Sequence, residues 1–307
     1  MLNLQIRARS GGATMHLITG VSTALVAGSV LAGAAVAQEA DEHDHAPSGH
    51  HEAGESGHHA GLHFAHPLIA ESVSPDTKMR LDYGYQDLGA ENGSELELEG
   101  EYAFHRSVAL EVGTHFDASA GELGETHVIL KFANFAFEEH GLLLGYGLEL
   151  GLPTGASHAH GGIEEPDHEH AEGEGHQENA EEQDDDVYEF APFLNAGLAA
   201  GPWELIAWTR YAIPTNQGEP AEVGPELLFD LSVLLHATEH IEPVLEMSGT
   251  VGLGGPQADR ETLTLSPGVR VRPVADQPLV LGGALSLPLT NARTFDTRVL
   301  VSAFWHF

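Results

Sequence analysis

The chain has 307 residues and a formal net charge of −35, because 47 aspartates and glutamates stand against 12 lysines and arginines. This acidic excess argues against nucleic acid and against anionic lipid surfaces as partners. The sequence contains no cysteine, which excludes disulfide bonds and thiol chemistry.

The N-terminus predicts an export signal over residues 1–37. Two arginines precede an apolar run over residues 17–34, and the small residues Ala-Val-Ala at 35–37 match a signal-peptidase site. The alternative is a membrane anchor that is retained, but the apolar run is short for a membrane-spanning helix. We therefore expect an exported protein whose mature chain begins at residue 38.

Two tracts rich in histidine and acidic residues lie at 39–66 and 158–186, and the second holds five histidines, twelve acids and no lysine or arginine. Neither tract has enough apolar surface to offset the entropy lost on ordering. The first predicts a disordered periplasmic arm over residues 38–76. The second predicts a long extracellular loop over residues 153–186.

The imidazole and carboxylate groups of these tracts are ligands that zinc, nickel, cobalt and copper accept in proteins. We therefore predict loose capture of such a metal, with no cofactor that the protein requires. The alternative is that the tracts are acidic, solvated segments without a metal role. The candidate metal ligands are His43, His45, His50, His51, His58, His59, His158, His160, His168, His170 and His176.

The remaining chain, residues 77–307, consists of short segments that alternate apolar and polar side chains. In SELELEGEYAF, for example, leucines and aromatic residues share one face and glutamates the other, which is the period of a β-strand. After the export signal, no apolar run is long enough to span a bilayer as a helix. The twelve predicted strands are 77–88, 94–104, 108–118, 126–137, 142–152, 187–198, 203–213, 225–237, 241–252, 261–272, 278–289 and 294–307.

This pattern favours an all-β fold: a single transmembrane antiparallel β-barrel of about 12 strands in the outer membrane, in contact with its lipid. Short connections alternate with longer ones, so we expect short turns in the periplasm and long loops outside. The last strand ends in Phe307 after alternating apolar residues, which is typical of strands that the barrel-assembly machinery recognises. A secreted β-sandwich is the alternative, but it does not require twelve long strands or this asymmetry of the loops.

The stretch PLIAESVSPDTKMRLDYGY, residues 67–85, resembles the opening of outer-membrane barrels of the phenol-degradation (MetA-pathway) transporter type, which are distant relatives of fatty-acid channels. The resemblance covers the first strand, its approach and the general plan of the barrel. It implies passage of a small compound across the outer membrane. The two histidine tracts depart from the usual pattern of this family.

The polar face of the strands predicts the lining of the lumen. Since the last strand must pair with the first to leave no open edge in lipid, the bases near that seam should form one wall and the acids the other. This arrangement favours a narrow, cation-preferring pore. The alternative is that the charges cross-link a filled interior, because twelve strands leave little open width. The predicted lumen-lining residues are Glu95, Glu97, Glu99, Glu101, Glu111, Asp117, Asp230, Glu246, Lys78, Arg80, Arg270, Arg272 and Arg298, together with Glu149, Glu189, Glu242 and Arg210.

The function we predict is a channel or facilitator for a small solute, with capture of a divalent metal by the tracts. A non-conducting structural or metal-scavenging barrel is the alternative, and a transporter of small hydrophobic or aromatic compounds is a second one. We expect no enzyme. Ser232 precedes His236 by four residues on one face, but no nucleophile motif surrounds either residue.

Overall fold

The computed structural model describes residues 62–89, 92–155, 187–215, 223–275 and 277–307. Within them, antiparallel strands form one closed barrel in which each strand pairs with its sequence neighbours and the last pairs with the first. This confirms the predicted fold. The twelve strands are β1 (Lys78–Asp87), β2 (Asn92–His105), β3 (Val108–Asp117), β4 (Glu122–Phe137), β5 (Leu142–Leu152), β6 (Tyr188–Ala200), β7 (Trp203–Thr215), β8 (Glu226–Leu235), β9 (Ile241–Gly252), β10 (Glu261–Val271), β11 (Leu279–Pro288) and β12 (Thr297–His306).

Helical structure in the described residues is confined to single 3₁₀ turns at Glu138–His140 and Gly255–Gln257. Within these same ranges, no helix is long and apolar enough to cross a bilayer.

The outer surface of the barrel is apolar, as lipid contact requires. On β1, Met79, Leu81 and Tyr83 are exposed while the residues between them are buried, so the period-two pattern separates an outer from an inner face. Aromatic side chains are exposed near both ends of the strands, which is the arrangement of the two interfacial girdles of outer-membrane barrels. The barrel is therefore an outer-membrane protein. These exposed aromatics are Tyr102, Phe104, Trp203 and Trp305 near one end, and Tyr85, Phe116, Tyr188 and Phe190 near the other.

The two ends of the barrel differ in their connections. We call the end where β1 begins and β12 ends the proximal end, and the opposite one the distal end. The proximal connections are 106–107, 138–141, 201–202, 236–240 and 272–278, whereas the distal ones are 88–91, 118–121, 153–187, 216–225, 253–260 and 289–296. Short connections occur at both ends, but the four longest, 153–187, 216–225, 253–260 and 289–296, all lie at the distal end. The compartment that each end faces stays a prediction, and all eleven predicted tract ligands lie outside the described residues.

The chain ahead of β1 does not end at the barrel rim. Residues 62–76, which we call the inner segment, have no regular secondary structure and lie inside the barrel with most of their side chains buried. The sequence assigned these residues to the disordered arm. The assignment does not hold here because Phe64, Leu68 and Val73 supply apolar surface that the histidine-rich residues before them lack.

Candidate functional site

Glu246 on β9 is the main polar anchor of the inner segment. Its carboxylate accepts hydrogen bonds from three successive backbone amides, those of Leu68, Ile69 and Ala70, at 3.2, 3.0 and 3.1 Å. Successive amides that point to one anion form a favourable binding concavity, and hydrogen bonds to a charged acceptor are stronger than neutral ones. The wall of the barrel therefore holds the middle of the inner segment, residues 68–70, through the backbone of the segment.

Further polar contacts fix the rest of the inner segment. The amide of Ala65 donates to Glu204 Oε2 at 2.9 Å, and the guanidinium of Arg80 donates to the carbonyl of Leu68. At the end of the segment, the Asp76 amide donates to Glu101 Oε1 at 3.0 Å. Since these partners come from β7, β1 and β2, the segment is tied to several parts of the wall.

Apolar contacts complete this packing. Phe64, Leu68 and Val73 are fully buried and belong to one cluster with inward-facing side chains of the wall. Glycine makes room for them at two wall positions: a Cβ on Gly197 of β6 would lie 2.7 Å from Val73 Cγ1, and a Cβ on Gly282 of β11 would overlap Leu68. The inner segment therefore lies across the bore between β6 and β11, in the half of the lumen nearer the proximal end. The wall residues of this cluster are Ala133, Leu143, Ile206, Leu234, Val244, Val280, Ala284, Leu300 and Phe304.

A buried charge network lies against the inner segment. Lys78 Nζ lies 3.1 Å from Glu101 and 3.4 Å from Glu111, and Lys131 Nζ lies 3.3 Å from Glu101. Lys131 also donates to Glu71 of the segment itself. Buried charges are tolerated when they are paired and hydrogen-bonded, and removal of one partner is costly. Lys131 is absent from the lining residues predicted from the sequence, although the alternation His127, Ile129, Lys131 places it on the inner face.

The other inward cations are also paired with acids. Arg298 binds Glu95 across the β12–β1–β2 seam, while Arg210 binds Glu149. Arg270 Nη1 lies 2.6 Å from Glu242. Each of these arginines thus lies beside a carboxylate that balances its charge. These bases therefore do not form a wall of unpaired positive charge.

The predicted lumen-lining residues lie at different depths. Asp117 accepts hydrogen bonds from the amides of Ser119 and Ala120 at 2.8 and 2.9 Å, so it caps the distal turn after β3. Arg272 lies beyond the end of β10, in a proximal connection. The buried ones are Lys78, Arg80, Glu99, Glu101, Glu111, Glu149, Glu246 and Arg270, and the half-buried ones are Glu95, Glu97, Asp117, Glu189, Arg210, Asp230, Glu242, Arg272 and Arg298.

The distal half of the lumen contains a cavity of about 310 Å³. Its lining combines opposite charges with hydroxyl groups from β6 to β11 and from the loops 253–260 and 289–296. Such a lining offers both donors and acceptors to a small polar molecule. The polar residues that line it are Glu189, Arg210, Glu226, Thr250, Gln257, Arg260, Thr262, Thr264, Thr290, Arg293 and Thr294.

His236, just after β8, bridges two carboxylates at the proximal end and does not pair with Ser232. Its Nε2 lies 2.9 Å from Glu204 and its Nδ1 lies 2.9 Å from Glu242, so both ring nitrogens are used by carboxylates. These two hydrogen bonds raise the pKa of His236 to about 10. Ser232 is buried four residues earlier and is not a partner of this ring.

Comparison with solved structures finds the same architecture. The COG4313 outer membrane channel from Pseudomonas putida F1 superposes with a TM-score of 0.53 at 15% identity, over 78% of this chain and 98% of that one. The NanC porin gives a TM-score of 0.51 at 8% identity, over 75% and 98% of the two chains. A KdgM porin in complex with disordered oligogalacturonate gives 0.51 at 11% identity, over 75% and 99%. At such identities the similarity shows the fold, and by sequence neither a family model nor a curated protein matches the chain.

Proposed function

We propose that this protein is an outer-membrane channel for a small polar solute and that the inner segment closes the pore in the state described. The observation that carries the proposal is that hydrogen bonds and side-chain packing, not strand pairing, hold the inner segment in the lumen. The segment can therefore leave while every strand pair of the barrel stays intact. Polar groups line the lumen beyond it, as a solute pathway requires.

The lining of the distal cavity favours a polar solute over a hydrophobic one. Arg210, Arg260 and Glu226 lie in it among threonine hydroxyls, and burial of an apolar solute there would desolvate these groups without compensation. The similar structures that are described as porins or channels support a transport role. The resemblance to the phenol-degradation type supports a second candidate, an aromatic solute that carries polar substituents.

An open pore should prefer cations. Each inward cation of the wall lies beside a carboxylate, and further inward carboxylates, such as Glu97 and Asp230, remain in excess over the bases. Net negative charge in a narrow lumen raises the local concentration of cations.

Conductance across a planar bilayer tests the proposal. The wild-type mature chain should be mostly silent, whereas a variant that lacks residues 38–74 should give a steady, cation-selective current. A matched control that lacks residues 38–60 removes the arm, keeps the inner segment and should remain closed. Heat-modifiable migration of all three proteins verifies that each barrel is folded. A folded but silent 38–74 deletion would favour the alternative of a non-conducting barrel.

We also propose that the histidine tracts capture divalent metal, a hypothesis that rests on their composition. Replacing His158, His160, His168, His170 and His176 by glutamine removes the ligands and keeps the negative charge. Calorimetry with zinc on the isolated loop peptide should show binding that this variant loses. Equal binding by the two peptides would mean that the tract is only an acidic loop.

A further inference from the structure

Three histidine rings and one carboxylate converge at the proximal end, where the inner segment meets the last strand. Asp76 Oδ2 lies 2.7 Å from His306 Nδ1, 3.3 Å from His66 Nε2 and 3.8 Å from His63 Nε2. We propose that these four residues, the proximal histidine cluster, bind a divalent transition metal of the zinc type. His63 and His66 come from the end of the first tract, but the site uses none of the eleven predicted tract ligands and does not depend on transport of a solute.

The three rings of the cluster converge on one oxygen of a single carboxylate. The second oxygen of Asp76, Oδ1, accepts the Thr77 amide at 2.7 Å, so the three ring nitrogens all face the single oxygen Oδ2. His306 and His66 lie within hydrogen-bond distance of this oxygen, at 2.7 and 3.3 Å, and His63 Nε2 lies just beyond it, at 3.8 Å. A cation placed among the nitrogens and Oδ2 would satisfy all of them at once.

The spacing of the donor atoms suits a small metal ion. The ligand atoms of His66, Asp76 and His306 all lie within 4.8 Å of one another. Four-coordinate zinc, with bonds of about 2.0–2.2 Å, keeps its ligand atoms about 3.3–3.5 Å apart. Shifts of a few tenths of an ångström to about 1 Å in the side chains would therefore complete the site. Three imidazoles and a carboxylate also select zinc, cobalt, nickel or copper over magnesium and calcium, which prefer oxygen ligands.

Groups behind the ligands hold them in place, as in established metal sites. The Thr77 amide orients Asp76, and the rings of His66 and His306 lie side by side with centroids 5.6 Å apart. Lys78 differs from these groups: its ammonium lies 3.0 Å from His66 Nδ1 and can only donate, so in the absence of metal Nδ1 accepts and Nε2 carries the proton that faces Asp76. For His66 to bind metal through Nε2, its Nδ1 must carry the proton. Lys78 can then turn to Glu101 and Glu111, which it already contacts.

The cluster has a route to solution. His66 is buried, but the side chain of His63 is 39% exposed at the mouth of the barrel. An ion can therefore reach the cluster from the proximal compartment through His63. Because His63 and His66 belong to the inner segment and His306 belongs to β12, the bound ion would join the segment to the wall.

Cobalt titration of the full mature chain tests the site. The parent protein for this test has the eleven predicted tract ligands changed to glutamine and keeps His63 and His66, so that the proximal histidine cluster is separated from the other tract imidazoles. It should bind one equivalent of Co²⁺ with the visible absorption of a four-coordinate site, and Zn²⁺ should displace the cobalt. His306→Gln and His66→Gln should each weaken Co²⁺ binding more than tenfold. His140→Gln, which changes an exposed histidine in another proximal connection, should bind as the parent does.

Two further, conservative variants test whether weaker Co²⁺ binding reflects loss of a ligand or loss of folding. Asp76→Asn keeps an acceptor for the Thr77 amide and loses the charged ligand, and His63→Gln changes an exposed side chain. Both should remain heat-modifiable barrels and bind Co²⁺ more weakly than the parent. The proposal is overturned if the parent binds no Co²⁺, or if the folded variants bind it as tightly as the parent. Loss of metal binding with an unchanged conductance would leave the channel function standing, so the two proposals fail separately.

Discussion

At the scale of single residues, Glu246 controls whether the inner segment stays in the lumen. Its carboxylate accepts three backbone amides, and no other side chain of the described wall takes as many hydrogen bonds from the segment. A glutamine at this position has one oxygen, and its NH₂ group would face amide hydrogens. The substitution therefore weakens the anchor without changing the shape of the side chain.

We predict that Glu246→Gln opens the channel more often. Loss of hydrogen bonds to a charged group costs about 1.5–3 kcal/mol, so the open population should rise by about tenfold or more. The measurement is the open probability in single-channel recordings. Glu226→Gln, which makes the same change of charge in the distal cavity, is the control and should stay closed. An unchanged open probability in Glu246→Gln would show that this anchor does not govern the segment.

His236 adds a pH-dependent contribution at the proximal end. Hydrogen bonds that the ring of His236 donates to Glu204 and Glu242 raise the pKa of His236 to about 10, whereas an unfolded histidine titrates near 6.5. The folded barrel therefore holds this proton more tightly than the unfolded chain does. The stabilisation is complete below about pH 6.5 and is lost as the pH rises towards about 10.

We predict that the free energy of unfolding falls by about 1 kcal/mol more in wild type than in His236→Gln between pH 6.5 and 10, after allowance for solvent screening. Urea unfolding in micelles at several pH values measures the difference. His140→Gln should keep the pH dependence of the wild type. If the free energy of unfolding changes with pH in the same way in wild type and in His236→Gln, the bridge of His236 to Glu204 and Glu242 does not contribute to stability.

At the scale of elements, the seam between β1 and β12 closes the barrel. The two strands pair along their whole length, from Lys78 with His306 to Asp87 with Thr297. Beyond the last pair, the Phe307 amide donates to the Thr77 carbonyl at 3.0 Å, and the ring of Phe307 is exposed at the proximal rim. The last residue thus extends the seam and adds to the interfacial aromatic girdle.

We predict that deletion of Phe307 lowers the amount of assembled barrel in the outer membrane while export remains normal. The deletion removes one seam hydrogen bond and the aromatic end of the final strand. Fractionation and heat-modifiability measure the assembled share. Phe307→Tyr keeps the aromatic ring and should assemble as the wild type does. Normal assembly of the deletion would argue against the role of the last residue.

The period-two pattern placed the faces of the strands correctly, and the reason is local. Glu99 and Glu101 alternate with exposed residues on β2, so their inward direction follows from strand geometry alone. The pairing of Lys131 with Glu71 and Glu101 did not follow from the pattern. It joins β4 to β2 and to the inner segment, and contacts between separate elements are set by the register of the closed barrel.

At the scale of the whole molecule, the asymmetry of the connections is the basis of the predicted orientation. The four longest connections, 153–187, 216–225, 253–260 and 289–296, lie at the distal end, and the first of them contains the acidic tract between β5 and β6. The last residue of the final strand and the inner segment lie at the proximal end. If the proximal end faces the periplasm, the tract is exposed on the cell surface and the proximal histidine cluster is exposed to the periplasm.

We predict that a glutamate-specific protease added to intact cells cuts the chain between Gly155 and Asp186 and spares residues 39–60. Trypsin should not cut this tract, since it contains no lysine or arginine. Mass spectrometry of the fragments identifies the site, and permeabilised cells serve as the control in which both tracts are cut. Cleavage of residues 39–60 alone in intact cells would reverse the orientation.

The sequence by itself determined the barrel. Alternation fixed the lipid-facing and inward faces, the number of strands followed from the turns between them, and closure followed because an open edge is unstable in lipid. Only the tertiary structure decided what fills the lumen. The inner segment has no periodic pattern, and its place depends on Glu246, Gly197 and Gly282, which lie far from it in sequence and meet it only in the closed barrel. The same holds for the proximal histidine cluster, because His66 and His306 come together only when the first and last parts of the chain meet.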